Sequence, residues 1–195
     1  FMAASSFMWK TKHNIVHHTF TNIEGVDDDI DAGALLRLAP QQKWRWYHRF
    51  QAAYALVLYS FIYILWISQK DIEKYVKGKI GSISITKMNT KEKILFWLFK
   101  FLYILIYLFI PIVLFKWSAI WGYLIAAGVC GLTISIVFQL AHIVTKAEYP
   151  KPNEDYKMDL DFHTHQVMTT ADFATNSKVV SWLLGGLNFQ VIHHL

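Results

Sequence analysis

Two long apolar stretches, residues 94–115 and 118–144, limit what this chain can fold into. An α-helix rises about 1.5 Å per residue, so about 20 residues cross a hydrocarbon core of about 30 Å. Both stretches reach that length, and only Lys116 and Trp117 separate them. The sequence therefore predicts a tight antiparallel transmembrane hairpin over residues 94–144.

The composition agrees with a protein of the lipid bilayer. Charged residues make up 17% of the chain, whereas about 25% is usual in soluble domains. The net charge of +5 comes from lysines and arginines that flank the apolar stretches instead of forming one basic stripe. This distribution of charge does not predict binding to nucleic acid. We predict an all-α, multi-pass membrane protein whose partner is the lipid bilayer.

A third, shorter apolar stretch, residues 51–67, is predicted not to cross the membrane. Basic residues flank it on both sides, which indicates that both flanks are cytoplasmic. They are Arg37, Lys43, Arg45 and Arg49 before it and Lys70, Lys74, Lys77, Lys79, Lys87, Lys91 and Lys93 after it. We expect residues 51–67 to dip into or lie along the cytoplasmic leaflet, with the aromatic and basic segment 43–50 as an interfacial anchor.

These expectations give one incomplete membrane domain over residues 1–195. Its predicted parts are a cytoplasmic region (1–50), the membrane-dipping segment (51–67), a cytoplasmic loop (69–93), the hairpin (94–144) and a second cytoplasmic region (145–195). The hairpin supplies the even number of crossings that leaves both cytoplasmic regions on one side of the membrane.

Five of the nine histidines lie in two short motifs, HNIVHH at residues 13–18 and QVIHHL at residues 190–195. On an α-helix, His13 and His17 share one face and His18 lies about 100° further round, so one helix can offer ligands to two neighbouring metal ions. The same reasoning applies to His193 and His194. A lone histidine is more often a surface residue, but clusters at both ends of one membrane chain favour metal binding.

The kind of metal is limited by the other side chains. The one cysteine, Cys130, lies inside an apolar stretch, so a metal must be held by nitrogen and oxygen. Imidazole suits iron, zinc and copper, and the residues alone leave that choice open. His142, near the end of the apolar stretch 118–144, is a further candidate ligand or a helix-end cap. His163 and His165 are spaced as in a loop, where a supporting or solvent-exposed role is as much expected as ligation. The acidic run at residues 27–31 is expected to be a solvated loop, with one aspartate as a candidate support for a metal ligand.

HNIVHH followed by TFTN, and GGLNFQVIHHL at the end, resemble the second and third histidine boxes of the membrane fatty acid desaturases. Gln190 at the head of the last box resembles the front-end and linoleoyl-type acyl desaturases. The resemblance implies a non-haem di-iron centre on the cytoplasmic face, which uses O2 and two electrons to remove two hydrogens from an acyl chain. It implies as iron ligands His13, His17, His18, His142, His193 and His194, with Gln190 and His165 as weak ligands or supports.

The chain departs from that family in one respect, because a separate first histidine box is absent from these residues. We expect that box upstream of Phe1, in a longer protein of which this sequence is an internal piece.

The resemblance also implies an acyl-CoA or acyl-lipid substrate and an electron donor of the cytochrome b or ferredoxin type. A hydroxylase or alkane monooxygenase of the same class is an alternative. A metal transporter is disfavoured, because only His142 lies in a predicted span.

Overall fold

A computed structural model describes residues 3–85, 87–155 and 157–195. The described residues form helices joined by loops and one two-stranded hairpin. The α-helices are α1 (Ser6–Lys10), α2 (Gln51–Leu65), α3 (Asp71–Lys77), α4 (Thr90–Ile104), α5 (Ile110–Phe115), α6 (Trp117–His142), α7 (Phe162–Thr169), α8 (Lys178–Leu183) and α9 (Gln190–His194). A 3-10 helix (Trp46–Phe50), three π-helical turns (Thr11–His17, Trp66–Lys70 and Leu105–Phe109) and the antiparallel strands β1 (Lys79–Ile80) and β2 (Ile83–Ser84) complete the set.

The predicted hairpin is present. α4, a π-helical turn and α5 form one helix over Thr90–Phe115, and α6 returns over Trp117–His142. A single residue, Lys116, turns the chain with φ +52°. Large apolar side chains point away from the protein along both helices, as expected for surfaces that face lipid tails. The prediction of an all-α, multi-pass membrane protein is confirmed.

The shorter apolar stretch belongs to a longer helix than the sequence predicted. The 3-10 helix, α2, a π-helical turn and α3 run continuously over Trp46–Lys77, which is long and apolar enough to span a membrane by length and composition. Both ends of this helix contact the loop that follows the first histidine motif. The backbone N–H of Arg37 donates to the Gln51 side chain at 2.7 Å, and Lys74 forms an ion pair with Asp28.

α2 packs closely against α6, because glycine removes a side chain at the crossing. A Cβ atom on Gly131 would lie 2.8 Å from the backbone oxygens of both Tyr59 and Ser60. Small residues at such crossings let membrane helices approach closely, where packing replaces the hydrophobic effect as the source of association. This contact fixes the position of α6 and therefore of His142 at its end.

Polar side chains inside the helix bundle find partners on neighbouring helices. Lys100 on α4 donates to a carboxylate oxygen of Asp71 at 2.9 Å and also to the backbone carbonyl of Ile67. A chain of tyrosine hydroxyl groups links Tyr63 to Tyr103 at 3.0 Å and Tyr103 onward to α6. Since an unpaired polar group is costly away from water, these contacts hold the three long helices in one arrangement.

Candidate metal centre

The first histidine motif adopts a π-helical turn, and this changes which histidines meet. The backbone N–H of His18 donates to the carbonyl of His13 at 3.0 Å, which is an i to i+5 hydrogen bond. A π-helix therefore brings residues five apart together, whereas the α-helical spacing paired His13 with His17. The rings of His13 and His17 still stack, with centroids 5.7 Å apart, but the short nitrogen contact joins His13 to His18. The expectation that one helix offers ligands to two neighbouring sites agrees with this geometry.

An outer group of imidazoles is formed by His13, His18 and His193. The Nε2 atom of His13 lies 3.2 Å from Nε2 of His193 and 3.2 Å from Nε2 of His18. A ring nitrogen either carries one proton or offers one lone pair, so Nε2 of His13 can make only one ordinary hydrogen bond. The two 3.2 Å distances therefore cannot both be ordinary hydrogen bonds. His193 is exposed, and the group lies near the protein surface.

An inner group is formed by His17, His142 and His194, and all three are buried. One nitrogen from each ring lies within 4.8 Å of the other two. His17 Nε2, His142 Nδ1 and His194 Nε2 are buried and have no hydrogen-bond partner in the part of the chain that the structure describes. Buried polar atoms rarely stay unpaired in proteins, so three in one place indicate a missing ligand.

Both groups offer three ring nitrogens to a metal ion, and the distances within the outer group can be compared with those around a bound ion. Two imidazole nitrogens bound at about 2.1 Å to one ion are about 3.0–3.4 Å apart for right to tetrahedral angles. The two 3.2 Å distances of the outer group fall in this range. The inner and outer groups are neighbours, since the rings of His18 and His194 stack with centroids 4.1 Å apart. The residues present therefore suit two metal ions side by side.

Asp27 orients the ring of His17. Its carboxylate accepts a hydrogen bond from Nδ1 of His17 at 3.1 Å and two more from the backbone N–H groups of Asn22 and Asp29. A carboxylate only accepts, so Nδ1 of His17 carries the proton and Nε2 is free for a metal. Asp27 is only 1% exposed, so the acidic run is not solvated at this residue, and Asp27 takes the supporting place behind a histidine that was expected for one aspartate.

Two further aspartates of the acidic run are neutralised by distant lysines. Asp29 forms an ion pair with Lys12, and Asp28 forms one with Lys74. The two pairs connect the loop to the π-helical turn and to α3. A third cluster of possible metal donors, His17 with Asp27 and Asp29, is occupied by these internal contacts and is not a separate metal site.

The ring of His194 is oriented from the opposite side by α7. Nδ1 of His194 donates to Oε1 of Gln166 at 2.9 Å. The neighbouring residue, His165, lies 3.0 Å through Nε2 from the backbone oxygen of Thr21. His165 is thus placed behind the two groups and supports the segment that follows His18.

Asn22 joins the ends of α6 and α7 to the loop between them, and no separate sequence signal pointed to this residue. The two N–H groups of its side-chain amide are shared among the backbone oxygens of His142, Glu148 and Thr169, which lie 3.0–3.2 Å from Nδ2. It is fully buried and has φ +60°, a conformation that asparagine tolerates better than most residues. Its place in TFTN, just after the first motif, is the only hint that the sequence offers.

The electrostatics keep most of these imidazoles neutral, which is the form that binds metal. Burial, followed by the neighbouring imidazoles, lowers the pKa of His13 to about 3 and that of His18 to about 4. Burial and the surrounding histidines also lower the pKa of His194. For His17, burial acts in the same direction, but the hydrogen bond and charge of Asp27 outweigh it and raise the pKa.

Three other polar side chains, those of Gln190, His163 and His48, are not among the six imidazoles of the two groups. Gln190 is buried, and its amide Nε2 donates to the backbone oxygen of Leu187 at 2.6 Å, which ties it to the turn before α9. His163 is exposed on α7. His48 contacts the backbone of Ala34 and Arg45 and serves the fold of the anchor segment.

The known proteins that this sequence resembles match it over its whole length. Residues 1–195 match the family model described as fatty acid desaturase. The chain is 35% identical to an sn-1 linoleoyl-lipid 6-desaturase of Arthrospira platensis, covering 100% of this chain and 53% of that protein. It is 34% identical to an acyl-lipid (8-3)-desaturase of Physcomitrium patens, covering 100% and 41%. An sn-1 linoleoyl-lipid 6-desaturase of Synechocystis is 34% identical, covering 100% and 55%.

The chain therefore spans about half the length of these relatives. No solved structure gives a significant match.

Proposed function

This chain belongs to the fatty acid desaturase family, and we propose that the protein containing it is an oxygen-dependent acyl desaturase with a histidine-ligated di-iron centre. The observation that carries this proposal is the pair of adjacent imidazole groups, each with three ring nitrogens in reach of one another. Two irons bound there would supply the oxidising power of activated O2 for breaking unactivated C–H bonds, which redox-silent zinc cannot supply.

The chain's own residues have distinct roles in this proposal. His13, His18 and His193 hold one ion, and His17, His142 and His194 hold the other. Asp27 keeps a proton on Nδ1 of His17, so that Nε2 points at the metal. Gln190 is proposed as a support of α9, because its amide nitrogen donates to the backbone oxygen of Leu187 in the turn before that helix. Burial of the inner group excludes bulk water from the place where an acyl methylene pair would be held.

We propose that the centre lies on the cytoplasmic face, and that the helix Trp46–Lys77 enters and leaves the membrane on that side. The contacts at its two ends support this, since Gln51 and Lys74 both contact the loop after His18. The seven lysines at residues 69–93 also favour the cytoplasm. The domain limits predicted above then stand as proposals, with only α4–α5 and α6 crossing.

We propose a fatty acyl chain carried on a membrane lipid as the substrate, because the relatives named above are linoleoyl-lipid and acyl-lipid desaturases. Such a substrate reaches the centre from the bilayer that the long helices occupy. The two electrons are proposed to come from a donor of the cytochrome b or ferredoxin type.

The test is fatty-acid analysis of a host that expresses the full-length protein and lacks the product. A new double bond in the lipid fraction supports the proposal. An alcohol in place of the double bond would assign the protein to the hydroxylases of the same chemistry. Altered cellular metal content without any new lipid product would instead favour the transporter.

A further inference from the structure

Gln166, on α7, is fully buried and touches both histidine-bearing segments. Its Oε1 accepts from Nδ1 of His194 at 2.9 Å. The same oxygen lies 3.1 Å from the hydroxyl of Thr21, which in turn donates to the backbone oxygen of His17 at 2.7 Å. One amide oxygen therefore connects the rear of His194 with the residue four positions after His17.

The contact with His194 decides which ring nitrogen is available. An amide oxygen only accepts hydrogen bonds, so it holds the proton on Nδ1 of His194 and leaves Nε2 unprotonated. That Nε2 is one of the unpartnered buried nitrogens of the inner group. Asp27 acts in the same way on His17, so two of the three inner rings are oriented by an acceptor behind them.

We propose that Gln166 is a positioning residue for the inner metal site, acting through His194. This inference rests on the proposed di-iron function. The hydrogen bonds of the Gln166 amide are made by Oε1. Its Nε2 is buried without a hydrogen-bond partner among the described residues. An acceptor at this place is therefore what the site requires, and a carboxylate would supply it as Asp27 does.

The substitutions that separate positioning from packing are Gln166→Leu and Gln166→Glu in the full-length protein. Leucine keeps a similar volume without an acceptor, and glutamate keeps the acceptor. His163→Leu is the matched control, since His163 is exposed on the same helix. Iron per chain is measured after purification in detergent, together with the rate at which a chelator removes it, and elution in gel filtration reports folding.

We expect Gln166→Leu to bind the inner iron about 10–100-fold more weakly than the parent. Chelator should therefore remove that iron faster, until about one iron per chain remains where the parent keeps about two. Gln166→Glu and His163→Leu should behave like the parent. Parent-like iron content and chelation in folded Gln166→Leu would overturn the inference. If the leucine variant does not fold, the glutamate variant decides, because loss of one iron from it would also overturn the inference.

Failure of the proposed function gives a different result. A folded, active parent that contains no iron refutes the di-iron centre itself, whatever the variants do. A parent with about two irons and an unaffected leucine variant refutes only the role of Gln166.

Discussion

Gly131 in α6 is the position at which one added methyl group should force two membrane helices apart. A Cβ atom there would lie 2.8 Å from two backbone oxygens of α2, those of Tyr59 and Ser60. The helices must separate by about 0.6 Å to reach the 3.4 Å at which ordinary contact begins. Overpacking typically costs about 1–3 kcal/mol. At about 2–4 °C per kcal/mol, we expect the thermal midpoint of Gly131→Ala to lie about 2–12 °C below that of an alanine substitution at an uncrowded glycine of the same helix.

The same helix offers matched controls. A Cβ on Gly128 would meet its nearest atom at 3.8 Å, and a Cβ on Gly122 would meet nothing within 4 Å. All three substitutions gain the same helix propensity, worth about 1 kcal/mol in water, so the difference between them isolates the clash. Thermal unfolding of the full-length variants in detergent measures it. Equal midpoints for Gly131→Ala and Gly128→Ala would refute the close crossing.

Three further predictions concern the centre and its placement. His17→Ala and His194→Ala should each abolish desaturation at equal expression, whereas His48→Ala should leave most of it; a normal rate for the His17 variant would rule out its role as a ligand. Asp27→Asn should weaken iron retention by about tenfold or more, measured by chelator competition, because the charge behind His17 is lost; unchanged retention would contradict that role. A cysteine replacing Lys79 should react with an impermeant thiol reagent only after the cytoplasmic face is opened, and labelling of intact cells would mean that Trp46–Lys77 crosses the membrane.

The hairpin and the histidine motifs could be predicted from the sequence because both depend on local information. A run of apolar residues such as 118–144 has few ways to satisfy its backbone in lipid other than as a helix. The position of His142 at the end of a span could be predicted by counting the residues of a membrane-spanning helix that starts at Ser118. The family resemblance named the two motifs, and the match over the whole chain confirms it.

The surroundings of the histidines could not be predicted, because they depend on contacts between residues far apart in sequence. Asp27 looks like part of a solvated acidic run, and its burial depends on His17 and on backbone N–H groups of its own loop. The neighbouring carboxylates of Asp28 and Asp29 form ion pairs with Lys74 and Lys12, and no local pattern identifies those lysines as partners. The continuous helix Trp46–Lys77 was missed for a similar reason, since polar residues after residue 67 end the apolar pattern but not the helix.

The double histidines explain how two short helices build two neighbouring groups. Adjacent residues on a helix point about 100° apart, so each HH pair sends one ring to each group. His18 and His193 enter the outer group, while His17 and His194 enter the inner one. Each group then needs one more imidazole, and the two sources differ. The π-helical turn brings His13 next to His18, whereas the membrane helix α6 supplies His142 from its last turn. The outer group is thus completed by local backbone geometry and the inner group by helix packing, so a change at the crossing of α2 and α6 should disturb the inner group first.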